Sequence, residues 1–177
     1  MKQILIDVDM QNDFISGSLG TKEAQGIVEA ATEKIKNFNG DIFVTYDTHF
    51  ENYMDTSEGK NLPVPHCIKG TKGWELNERI EEVLSEKKCQ RIEKLTFGSV
   101  KLPQLINKLY GNEKIEIELI GLCTDICVVS NALILKANFP ENLIKVDASC
   151  CAGVTPDTHN FALDTMKMCQ IVIENRK

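Results

Sequence analysis

Ile115-Glu116-Ile117-Glu118-Leu119-Ile120, followed at once by Gly121-Leu122-Cys123-Thr124-Asp125-Ile126-Cys127, is a short apolar run of strand character that turns straight into a helical stretch. That stretch, Thr124 to Ala137, is apolar nearly all round, so it reads as the most enclosed helix of the protein. Similar runs recur at Ile4–Val8, Ile42–Tyr46, Leu143–Val146 and Ile171–Ile173, with a weaker one at Cys89–Ile92. Between them lie stripes of helical spacing: Ala24, Ile27, Val28, Ala31 and Ile35; Leu76, Ile80, Val83 and Leu84; Leu102, Leu105, Ile106 and Leu109. Thr155-Pro156-Asp157 supplies cap and first-turn signals for one more helix. Strands alternating with helices specify a parallel sheet covered on both faces. The expectation is a three-layer αβα sandwich around a six-stranded, mostly parallel, doubly wound sheet, forming one domain over residues 1–177.

The chain has 177 residues, 42% of them hydrophobic, enough for a continuous core without staples. Its formal net charge of -6, with no basic run, argues against nucleic acid and anionic membrane surfaces as partners. No segment has the roughly 20 apolar residues of a membrane helix. Met1-Lys2 leads into a strand-like segment rather than a signal peptide, so the expected location is the cytoplasm. Cysteines stand at 67, 89, 123, 127, 150, 151 and 169; no two have CxxC spacing, which favours reduced thiols over a disulfide framework.

In an open parallel sheet, ligands bind beyond the carboxyl ends of the strands. The first strand ends at Asp9, in Asp9-Met10-Gln11-Asn12-Asp13-Phe14, and the second at Asp47-Thr48-His49; the third leads to Glu93-Lys94 and the fourth to Cys127. With Thr124 as cap, Cys127 falls in the first helical turn, where unpaired N–H groups and the helix dipole favour a thiolate. Taken singly, Cys127 is also readable as a small core residue, Asp9 as a turn cap and Lys94 as a surface lysine. Their joint placement at one sheet edge makes them a nucleophile with a carboxylate and a cation to set its ionisation. The irregular segment from Asp47 to about Gly73 is longer than an ordinary connection and holds two of the three histidines. Asp47 and His49, two apart, can point to one side, and Pro63-Val64-Pro65-His66 presents His66 stiffly. Two histidines and a carboxylate leave open positions on a divalent ion, although hydrogen bonds across a loop would use the same residues.

Together these segments resemble the isochorismatase-like cysteine hydrolases, and among them the nicotinamidases, across nearly the whole chain. Asp9 to Phe14 is similar to the family's D-x-Q-N-D-F opening, Asp47-Thr48-His49 and Pro65-His66 to its metal segments, Lys94 before Thr96-Phe97 to its lysine, and Thr124-Asp125-Ile126-Cys127-Val128 to its T-D-x-C-V motif. The resemblance implies Asp9, Lys94 and Cys127 as the catalytic triad and Asp47, His49 and His66 as ligands of one divalent metal ion, zinc before manganese or iron. Many nicotinamidases carry a further histidine where this chain has Tyr53, whereas some bacterial members use a glutamate; Glu58 fits that variant, with Glu51 its competitor. The resemblance also implies a cis peptide between Leu122 and Cys123, an oxyanion hole from the backbone N–H groups of Cys123 and Cys127, Phe14 as an aromatic wall for the substrate, and a structural His159. The activity implied is hydrolysis of nicotinamide to nicotinate and ammonia in NAD salvage, by a homo-oligomer that also accepts pyrazinamide. The alternatives are a related hydrolase of another small amide, carbamoyl or ureido compound, a hydrolase whose metal-bound water attacks, and a catalytically silent binding protein on the same fold.

Overall fold

The computed structural model describes residues 1–111 and 113–176. Six strands, β1 (Lys2–Val8), β2 (Asp41–Asp47), β3 (Cys89–Lys94), β4 (Ile115–Leu122), β5 (Leu143–Ala152) and β6 (Val172–Glu174), form one sheet in the order β3-β2-β1-β4-β5-β6. Every pairing is parallel, so the sheet is wholly parallel rather than mostly so. The central strands read as continuous apolar runs because both their faces are covered. Ile4, Ile6 and Val8 pack on one face and Leu5 on the other, as the two-residue period of a strand requires. The faint signal of β3 reflects its place at the sheet edge, where Gln90, Arg91 and Glu93 are exposed.

Helices α2 (Lys22–Asn37) and α4 (Glu78–Ser85) cover the face bearing Leu5. Helices α5 (Lys101–Tyr110), α6 (Val129–Asn138) and α7 (Pro156–Met168) cover the other. The short α1 (Asn12–Ile15) follows β1, and α3 (Ser57–Asn61) lies within the segment after β2 that has no strand or long-helix period. Thr21 accepts from the Ala24 N–H to cap α2, and Thr155 accepts from the Thr158 N–H in a reciprocal capping box on α7. Two stripes overrun their helices: Leu76 precedes α4, whose cap is Asn77, and Leu109 in α5 turns to solvent. No described helix is long and apolar enough to cross a membrane.

The chain builds β1, β2 and β3 toward one edge, then crosses back to lay β4 against the free side of β1. Beyond the carboxyl ends of β1 and β4 the connections diverge to opposite faces, the crevice in which such sheets bind ligands. Gly121 in β4 makes this crevice close: its φ is 115°, and a Cβ there would stand 2.1 Å from the Val8 carbonyl oxygen.

Asp7 departs from the apolar pattern of β1. It is wholly buried, and neither carboxylate oxygen has a hydrogen-bond partner. Burial, then the nearby Asp9 carboxylate, pushes its pKa up to about 8 from 3.8, with Arg91 opposing. Between those two values the native state holds a proton that the unfolded chain has released, so stability falls as pH rises. Asp7→Val removes the effect. Its stability advantage over the natural chain, read from urea midpoints, should widen by about 1.4 kcal/mol per pH unit from about pH 4 to about pH 8; a pH-independent difference would mean that Asp7 titrates normally.

Candidate active site

The ends of β1, β2, β3 and β4 converge on one buried cation. Lys94, the last residue of β3 and 3% exposed, places Nζ 2.6 Å from Asp9 Oδ2, 3.4 Å from Asp47 Oδ1 and 3.5 Å from Cys127 Sγ. Asp9, just beyond β1, is fully buried in the left-handed region at φ 50°, a conformation that Asp tolerates better than most residues. Its other oxygen, Oδ1, accepts the Thr45 hydroxyl at 2.6 Å. Burial alone would lower the Lys94 pKa; Asp9 first, then Cys127 and Asp47, reverse this and raise it, so Lys94 stays charged. Burial raises the Asp9 pKa, with Lys94 opposing.

Cys127 lies in a wide turn, Thr124–Val128, leading into α6. The Ile126 and Val128 N–H groups both donate to the Cys123 carbonyl, at 3.1 and 3.0 Å, and the Leu122–Cys123 peptide is cis. Thr124 is the first residue of this turn, not its cap: the N-cap is Cys123, which gives no side-chain bond, and the Thr124 hydroxyl lies 2.8 Å from His159 Nδ1 on α7. Burial, and then the Asp9 carboxylate, raise the Cys127 pKa well above that of a free thiol, so the resting group is a thiol. The favourable turn position is outweighed because Cys127 is only 3% exposed.

Asp47 reaches Lys94 with Oδ1 and turns Oδ2 to a second cluster, 3.1 Å from His49 Nε2 and 3.5 Å from His66 Nε2. Glu58 Oε1 lies 3.6 Å from both of those nitrogens, and one donor atom from each of the four residues falls within 4.8 Å of the others. Glu51 is exposed and outside this set. Glu58 owes its place to α3: Thr56 caps that helix by accepting from the Gly59 N–H at 3.0 Å, and Gly59 packs where a Cβ would meet the Tyr53 carbonyl at 2.1 Å. His66 Nδ1 donates to the Val64 carbonyl at 2.8 Å, which leaves the Nε2 lone pair facing the cluster. Two imidazole nitrogens and two carboxylate oxygens suit zinc, manganese or iron, so the residues fit a divalent ion.

Several supporting residues escaped the sequence reading. The Gln11 side chain donates to the Asp47 carbonyl and accepts from the Asp47 N–H, both at 2.8 Å, fixing the end of β2. Asp13 accepts from the Cys67 N–H at 2.8 Å, beside His66. The Q-N-D of the opening motif is therefore a set of loop ties, a role that its polarity next to a strand end could have suggested. Tyr53 is no ligand; it packs against the His49 and His66 rings, with centroids 4.7 and 5.1 Å away, and donates its hydroxyl to the Leu62 carbonyl.

A cavity of about 810 Å³ opens over both clusters. Asp47, His49, Glu58 and His66 line it together with Cys123 and Cys127; Phe14, Leu62, Leu95, Phe97, Ile126 and Val154 give it apolar walls. Asp9 and Lys94 are buried behind the thiol, so a ligand meets sulfur first.

The family model of the isochorismatase domain matches residues 3–177. The chain belongs to the isochorismatase family. It is 33% identical over 173 residues to an isochorismatase family protein, PncA, of Bacillus subtilis (strain 168), covering 92% of this chain and 93% of that one. Among solved structures it is similar to nicotinamidase PncA from Bacillus subtilis (TM-score 0.84, 27% identity, 99% and 100% of the two chains). It is also similar to the pyrazinamidase of Pyrococcus horikoshii in complex with zinc (0.78, 26%, 98% of each) and to N-carbamoylsarcosine amidase from Thermoplasma acidophilum (0.76, 26%, 98% and 96%). Membership in this family makes the protein a hydrolase.

The metal cluster can be tested by metal content. The natural chain loaded with zinc should hold about one ion; His49→Ala should lose it, and Glu58→Ala should weaken binding at least about tenfold. Full affinity in Glu58→Ala would remove Glu58 from the ligand set.

Proposed function

We propose that this protein is a nicotinamidase, a cysteine amidohydrolase that converts nicotinamide to nicotinate and ammonia, with Asp9, Lys94 and Cys127 as its catalytic residues. One observation carries the reading: a single apolar-walled cavity presents the Cys127 thiol, backed by the buried Asp9–Lys94 pair, and the Asp47, His49, Glu58 and His66 donors together. Asp47, His49, Glu58 and His66 would hold a divalent ion, zinc in first place, which when bound would supply a Lewis-acid position for an aromatic ring nitrogen. Phe14 lies beside His66, with ring centroids 5.5 Å apart, and forms a wall for that ring.

The chemistry follows from the proton inventory. Asp9, which shares the Lys94 ammonium with the thiol, takes the Cys127 proton as sulfur attacks the amide carbon, and the carbonyl π pair moves to oxygen. Lys94 stays cationic and stabilises both anionic neighbours. The Cys123 and Cys127 backbone N–H groups hold the tetrahedral oxyanion. Its collapse breaks the C–N bond, Asp9 returns the proton to the departing ammonia, and a thioester remains. Water then adds to the thioester with Asp9 as base, the C–S bond breaks, and the carboxylic acid leaves as the thiol is restored.

The likeness to N-carbamoylsarcosine amidase, together with the size of the cavity, favours a second reading in which the same triad cleaves another small amide or a carbamoyl compound. Ammonia release from nicotinamide by the zinc-loaded protein separates the two. Release is expected, with Cys127→Ala inactive at unchanged metal content and Asp9→Asn slowed by about 10²- to 10⁴-fold in kcat. No release, alongside a reactive Cys127 and bound zinc, would move the substrate to the carbamoyl class; appreciable turnover by Cys127→Ala would overturn cysteine catalysis.

A further inference from the structure

We infer that His159, on α7, is a positioning residue for the nucleophile, acting through Thr124. The inference rests on the role proposed for Cys127. The Thr124 hydroxyl is fully buried, does not cap its own turn, and lies 2.8 Å from His159 Nδ1. Asp125 makes a second tie: its carboxylate accepts the Val154 N–H, at 3.2 and 3.0 Å to its two oxygens. The turn that carries Cys127 is thus fastened at both of its leading residues, Thr124 to the start of α7 and Asp125 to the β5–α7 junction. Gly153 lets the chain after β5 pass close to His159, since a Cβ there would stand 2.8 to 2.9 Å from His159 atoms.

A turn held at Thr124 fixes the direction in which the other side chains of that turn point, Cys127 among them, and with it the 3.5 Å separation of Cys127 Sγ from Lys94 Nζ. Loss of the His159 tie lets sulfur drift from the cation that stabilises its thiolate. Misplacement on the scale of about 1 Å lowers a rate by about a hundredfold. His159 itself never meets the substrate: it does not line the substrate cavity and faces instead a separate cleft shared with Asn160 and Arg176.

The test uses the zinc-loaded protein and two readouts. The first, independent of the substrate, is the pH profile of Cys127 alkylation by iodoacetamide, followed by mass spectrometry of the Cys127 peptide. His159→Ala should slow alkylation about tenfold at neutral pH and move the profile to higher pH, while His159→Asn, whose amide can occupy the Nδ1 position, restores it. The second is amide hydrolysis, in which kcat should fall about 10- to 100-fold with KM unchanged. Thr124→Val, an isostere without the hydroxyl, should match His159→Ala, and the double variant should be no slower than either. If His159→Ala does not fold, Thr124→Val against Thr124→Ser carries the comparison. A natural alkylation profile in folded His159→Ala or Thr124→Val would overturn the inference. Natural chains that alkylate but do not release ammonia from nicotinamide would instead count against the substrate.

Discussion

The buried ammonium of Lys94 is the constraint on which the site depends. A cation only 3% exposed is stable in this fold because Asp9 meets it at 2.6 Å and Asp47 at 3.4 Å. Removing both carboxylates would leave the ammonium without compensation in a low-dielectric interior, the situation in which a buried charge is most destabilising. An apolar replacement of the whole cluster would serve stability as well or better. The same ammonium lies 3.5 Å from the Cys127 sulfur, so the cluster ties the charge balance of three strand ends to one thiol.

Asp47 extends this arrangement. One of its oxygens faces the cation and the other the imidazoles of His49 and His66. The Lys94–Cys127 cluster and the His49–Glu58–His66 cluster are therefore not independent: one carboxylate at the end of β2 touches both. Gln11 holds that carboxylate's backbone by two hydrogen bonds of 2.8 Å, and Tyr53 packs against both imidazole rings. Rigid strand ends hold the charged groups, and a long loop tied by side chains closes over them.

Most of the strands and helices are visible in the sequence because each is a local pattern, apolar runs for the buried strands and a 3.6-residue stripe for the helices. Edges are less visible: β3 lacks one covered neighbour and so carries polar residues, Leu76 is buried in the core but stands before its helix begins, and Leu109 extends its stripe beyond what packing uses. Asp9, Lys94 and Cys127 stand out because motif and strand end coincide. The Thr124 cap does not hold, because a threonine at a helix start can bond its own turn or a neighbouring helix, and only the presence of His159 on α7 selects between them.

The sequence by itself determined the alternation of strand and helix, the residue types at each strand end, and a histidine–carboxylate set with ligand spacing, since all of these are properties of neighbours along the chain. Only the tertiary structure decided that β4 returns to lie against β1, that Glu58 rather than Glu51 joins the histidines, and that Cys127 rests as a thiol. Those outcomes depend on burial and on distances between segments far apart in the chain, quantities that no local pattern of residues contains.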